Sequence, residues 1–168
     1  ATGEVRFKKQ WRSRSLASVN AATPLVNGNL IFLTASYGTG AVLLKIARDG
    51  LEEIWSSDDV LSSHYSSVVI YEGTLFGFHG RQEFGPSLRA VDLVTGNVHW
   101  SIDRFMSGSV TLVNKRILVI KESGEAILAN ATKEGFSPIY TKKLLPRVIR
   151  SYPAIAAGRL YIRNVDTL

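Results

Sequence analysis

The stretch "AVDLVTGNVHW", residues 90–100, decides the fold. It reads as a short strand, a tight turn and a second strand that ends in tryptophan. Asp92 suits the turn because its side-chain oxygen can cap backbone amides, and Gly96 suits it because a glycine enters positive φ at little steric cost. Trp100 then places a large flat ring on the outgoing strand, and the small Ala90 leaves room for a ring to approach. This spacing is a packing device and not a catalytic motif.

Looser versions of the phrase recur along the chain. A turn followed by a strand appears as "NGNLIFL" from Asn27, "EGTLFGF" from Glu72, "NKRILVI" from Asn114 and "AGRLYIR" from Ala157. The second residues of these, Gly28, Gly73, Lys115 and Gly158, are spaced by 45, 42 and 43. An aromatic series, Trp11, Trp55, Trp100 and Tyr140, steps by 44, 45 and 40. Within one period, "SSVVIY", "TLFGFHG", "SLRAVDL" and "NVHWSI" are short β-branched or aromatic runs separated by turn residues, which predicts four strands. No stretch sustains a helical apolar period over three turns. Four antiparallel strands repeated every 40 to 45 residues predict an all-β chain of β-propeller blades. The expected repeats are approximately 1–15 (partial), 16–57, 58–103, 104–144 and 145–168 (partial), in a single domain.

The full motif, Ala90, Asp92, Gly96 and Trp100, resembles the tryptophan-docking repeat of the quinoprotein-like β-propellers. That superfamily includes the pyrroloquinoline-quinone (PQQ) alcohol dehydrogenases and the outer-membrane assembly lipoprotein BamB. "ARDGLEEIW" keeps Asp49, Gly50 and Trp55 with a shortened turn, and "ANATKEGFSPIY" keeps Ala129 and Gly135 with Tyr140 in the tryptophan position. "ATGE" at the start is similar to the tail of such a turn, feeding a strand expected to end at Trp11. The resemblance implies rings of about seven or eight blades. Three complete blades with partial blades at both ends therefore imply either an arc of a longer propeller or closure by self-association.

Composition bounds the chemistry. Hydrophobic residues make up 45% and charged residues 20% of 168, as in a folded domain with a real core. The apolar runs are strand-sized, short of the roughly 20 residues of a membrane helix, and the first residues lack the apolar core of a signal peptide. With no cysteine, disulfides, thiolate metal sites and a cysteine nucleophile are all excluded. The net charge of +6 is concentrated at Arg6, Lys8, Lys9, Arg12 and Arg14 and again at Lys142, Lys143, Arg147, Arg150, Arg159 and Arg163. Neither cluster forms a basic helix face or interleaves aromatics as a strand-binding groove does, which argues against nucleic acid.

No catalytic set emerges. Asp58, Asp59, Asp103 and Glu122 are not grouped as calcium requires, and the spacing of His64, His79 and His99 matches no zinc pattern. "YGTG" at 37–40 leads into a strand and not a helix, so it is a hairpin and not a phosphate loop. The candidate ligand-binding residues are His64 and Tyr65, expected to open a channel-lining strand, and His79 and Arg81, expected in a loop at a strand end. Trp11, Trp55, Trp100 and Tyr140 are assigned to blade docking with Ala90, Asp92 and Gly96. The favoured function is a non-enzymatic interaction or ligand-binding segment of an exported bacterial protein, periplasmic or secreted, partnered by another protein or by the remaining blades. No cofactor is expected. One alternative is part of a PQQ dehydrogenase, which the resemblance would supply with calcium and quinone. Another is a carbohydrate-binding propeller presenting Tyr37, Tyr65 and Phe84.

Overall fold

A computed structural model describes residues 2–167. Three four-stranded antiparallel sheets follow one another in the chain, and each is a simple meander. The first contains β1 (Leu25–Asn27), β2 (Leu30–Ala35), β3 (Gly40–Ile46) and β4 (Leu51–Ser57). The second contains β5 (Val69–Tyr71), β6 (Thr74–His79), β7 (Ser87–Asp92) and β8 (Val98–Ile102). The third contains β9 (Gly108–Val113), β10 (Arg116–Lys121), β11 (Glu125–Asn130) and β12 (Pro138–Lys143). A two-stranded sheet, β13 (Ala154–Ala156) with β14 (Arg159–Tyr161), comes last. The all-β reading holds, and the sheets are blades.

The inner strands of each blade read as continuous apolar runs because both of their faces are buried. On β6, Leu75 packs toward the first blade with Phe32, Leu43 and Val91, while its neighbour Phe76 packs toward the third with Ile117, Val119 and Ala129. On β7, Val91 and Ala90 divide in the same way. The cores therefore lie between blades, and each blade is needed to cover its neighbours.

The opening phrase acts as a clamp at the end of β7. Asp92 Oδ1 accepts hydrogen bonds from the Val94 and Thr95 amides at 3.0 and 2.8 Å and from the Thr95 hydroxyl at 2.9 Å. Desolvation pushes this carboxyl up, but those donors outweigh it and hold the group below the usual carboxylate range. Gly96 sits at φ +73, and a Cβ there would come within 3.2 Å of the Trp55 ring. That ring belongs to the preceding blade, and its Nε1 donates to the Leu93 carbonyl at 3.0 Å. Trp100 repeats the reach one blade further, donating to Thr132 O at 2.9 Å.

Trp11 and Tyr140 behave differently. No strand forms in residues 2–24, so the strand expected to end at Trp11 is absent. Trp11 Nε1 instead donates to Gly40 O at 3.0 Å, at the start of a third strand and not beyond its end. A fourth-strand tryptophan needs a third strand beside it, and this segment has none. Tyr140 lies on the wholly exposed β12 and is itself 53% exposed, so its ring is not covered as those of Trp55 and Trp100 are.

Candidate functional site

Meander topology sorts the loops onto two faces. Turns between first and second strands, and between third and fourth, lie at one end of every blade. The hairpins between second and third strands share the other end with the linkers between blades. His64 and Tyr65, in the linker before β5, and Arg81, in the loop after β6, therefore meet on one face with His79 at the end of β6. His64 and Tyr65 do not open a strand, because β5 begins only at Val69. They are held in place by linker contacts. Ser63 N donates to Thr34 Oγ1 at 2.9 Å, Ser63 bridges Gly80, and Gly80 N donates to Ser62 O at 2.9 Å.

His64 Nε2 lies 2.7 Å from the Tyr37 hydroxyl, and its ring meets Tyr37 edge-on at 5.2 Å. The Arg81 guanidinium covers Tyr37 at 4.6 Å and lies 5.4 Å from Phe84, while pairing with Glu83 at 3.0 Å. Tyr65 turns away toward the third blade and donates to Glu122 Oε1, which also receives Arg150 Nε at 3.2 Å. Burial, then this bond to Glu122, pushes the Tyr65 phenol above its ordinary range, so it stays protonated. The aromatic surface for a sugar is thus small, since Tyr37 and Tyr65 are half-buried and only Phe84 is largely exposed, at 76%.

His79 is half-buried, and its Nδ1 accepts from Ser62 N at 3.1 Å, so it sits apart from the His64 group. Burial, and then Arg89, hold its imidazole below the ordinary range; burial also lowers His64, with Arg81 adding to the effect and Glu83 opposing it. Both rings are accordingly neutral near pH 7. An unfolded imidazole takes up its proton near pH 6.5, while these folded ones resist. The stability they contribute is fully present above that value and is lost as pH falls through it toward the folded pKa values. Urea unfolding is expected to show a midpoint that drops from about pH 7 to 5. His79→Asn, which keeps an acceptor near Nδ1, should make that drop shallower.

Four buried side-chain atoms lack any hydrogen-bond partner among the described residues: His64 Nδ1, Arg81 Nε, Gln82 Oε1 and Ser109 Oγ. A buried orphan of this kind costs about 1–3 kcal/mol, so their grouping on one face is informative. His64 and Gln82 line a narrow recess with Tyr65, Ser66, Ser107 and Gly108 that admits a water-sized group. Ser109 lines a second recess beside Glu122, Arg150 and Tyr152. Gln82, Ser107 and Glu122 continue into an open cleft of about 260 Å³, walled by Met106, Lys121, Arg147 and Val148. The sequence reading named His64, Tyr65 and Arg81 as candidates and weighed Glu122 only as a calcium ligand, while Gln82, Ser109 and the cleft went unnamed. Counting turns along the meander assigns their loops to this face but singles out no residue within them.

Among the described residues no three His, Asp or Glu side chains converge as ligands for a metal ion. Calcium takes six to eight oxygens, so this arc alone does not fit a calcium-held quinone.

No family model and no curated protein matches the sequence. Solved structures do match the fold. BamB from Moraxella catarrhalis superposes with a TM-score of 0.64 at 15% identity, covering 87% of this chain and 40% of its own. A europium-containing methanol dehydrogenase gives 0.55 at 14% identity, covering 76% and 26%. The quinohemoprotein alcohol dehydrogenase ADHIIG from Pseudomonas putida HK5 gives 0.54 at 15%, covering 88% and 24%. The chain thus spans less than half the length of each of these proteins. With three complete four-stranded blades and two strands of a fourth, it has the fold of the PQQ-like β-propellers, as a partial set of blades.

Proposed function

We propose that this arc is a non-enzymatic binding platform whose working surface is the linker face around Tyr65 and Glu122. The carrying observation is that orphaned buried polar atoms of His64, Gln82 and Ser109 belong to residues lining two recesses that open beside a cleft. A propeller presents many loops from a rigid ring, so binding groups can be placed there without disturbing the inter-blade cores. The titratable side chains at this face are held in internal pairs, Tyr65 with Glu122, Glu122 with Arg150, and Tyr37 with His64. Such pairing suits a fixed surface better than proton transfer.

The partner is a protein or the remaining blades of the same ring, and export to the periplasm or beyond is part of this reading. No helix among the described residues is long and apolar enough to cross a membrane. The second reading, part of a quinone dehydrogenase, is favoured by the likeness to the methanol and quinohemoprotein alcohol dehydrogenase structures. Titration with PQQ and calcium, followed by visible absorbance and calorimetry, separates the two. No stoichiometric uptake is the expected result; tight one-to-one uptake by this chain would overturn the platform reading.

A further inference from the structure

We infer that the cleft between Gln82 and Arg147 takes an extended acidic peptide segment of a protein partner, an inference that rests on the platform reading above. Its walls carry apolar side chains without cover, Met106 at 56% and Val148 at 38% exposed, with Phe84 on the adjoining loop. Methionine, aromatic residues and arginine are enriched in protein–protein interfaces relative to the rest of the surface. The charge of the cleft is unbalanced in one direction. Lys121 is matched by Glu125, and Arg150 meets Glu122 through Nε only, at 3.2 Å, with no partner for its terminal nitrogens among the described residues. Arg147 has no ion-pair partner there at all. The cleft is therefore ready for carboxylates.

The orphaned atom that lines the cleft is an acceptor, the Gln82 amide oxygen, and the adjoining recess that shares Gln82 holds the unpartnered His64 Nδ1. A phosphate or lipid headgroup only accepts and would leave Gln82 unmatched. A polypeptide offers N–H and C=O alternately along its backbone, and its acidic side chains reach Arg147 and Arg150. The two narrow recesses share Tyr65, Ser66 and Gly108, and both border the cleft. Each can receive one small polar group while the peptide main chain lies in the open part.

The test uses the whole chain and a fluorescein-labelled peptide of about ten residues alternating Glu and Leu, read by anisotropy. Binding is expected, with a Lys–Leu peptide of equal length weaker by about tenfold or more. Arg147→Glu, at an exposed position, should weaken the acidic peptide by about tenfold with an unchanged thermal melt. Lys142→Glu, on the exposed β12, should leave affinity within about twofold. Equal binding of the Lys–Leu peptide would overturn the inference, as would no effect of Arg147→Glu or the same loss in both variants. Competition by inorganic phosphate alone, or Arg147-dependent binding to phosphatidylglycerol vesicles, would also overturn it by making the cleft a plain anion or membrane site. Absent peptide binding in a chain that takes up no quinone removes the acidic peptide and leaves the platform; quinone uptake removes the platform itself.

Discussion

Phe76→Ala is expected to lower the unfolding free energy by about 3–5 kcal/mol, the range for truncating a fully buried aromatic side chain. Phe76 is 0% exposed on β6 and packs into the core shared by the second and third blades. Its ring lies 6.0 Å from that of Trp100, whose Nε1 is fixed to Thr132 O. The cavity left by alanine cannot close easily, because the indole that would have to move is tied to the next blade. The loss also falls at an interface and not within one sheet. In a repeat array, stability is close to a sum of unit and nearest-neighbour terms, so a weakened interface can uncouple blades. Urea unfolding should show a lower midpoint and a broadened transition, with tryptophan fluorescence shifting ahead of the far-ultraviolet signal. A loss below about 1 kcal/mol would mean that the blades do not depend on this contact.

The contrast between Phe76 and Phe84 shows how far the sequence could be read. The blade pattern was legible because the inner strands are apolar on both faces and recur with the period, and in the second blade the turn after β7 combines an acceptor with a positive φ. Asp92 and Gly96 satisfy both at once. Trp11 shared the spacing but lacked the surroundings. Periodicity locates a residue type, whereas docking also requires a strand beside it and a turn in the next sheet, and residues 2–24 supply no strand. His64 and Tyr65 were expected to open a strand, because "HYSSVVIY" carries β-propensity, but that propensity gives way to linker hydrogen bonds at Ser63. The cleft was not legible. Its members come from four separate loops, and nothing in the local wording around Gln82, Ser109 or Arg147 marks them. Only three-dimensional pairing reveals which hydroxyls and amides have been left over.

Two of those loops meet at one glycine. Gly124, in the hairpin between β10 and β11, adopts φ +92, a left-handed conformation that costs a side-chain-bearing residue roughly 1–2 kcal/mol. A Cβ at this position would overlap the Leu145 carbonyl oxygen, which is backbone and cannot swing aside as a side chain can. The closeness has a purpose in the fold. Leu144 N donates to Gly124 O at 2.9 Å, and Ile149 N to Glu122 O at 3.1 Å, so the hairpin and the linker from 144 to 149 form one unit. Arg147 and Val148 ride on that linker, while Glu122 and Ser123 ride on the hairpin. Gly124→Ala must therefore separate the two, at an expected total of about 2–4 kcal/mol once overpacking is added to the backbone term. Leu145 and Ile149 help to cover the third blade's outer face with Leu118 and Ile120, so this loss should appear as increased binding of a hydrophobic dye as well as a lower urea midpoint. Peptide affinity should fall in the same variant, because the wall carrying Arg147 shifts away from Glu122. A variant with wild-type stability would show that linker and hairpin yield to each other, and the cleft would then be a soft feature and not one built into the blade.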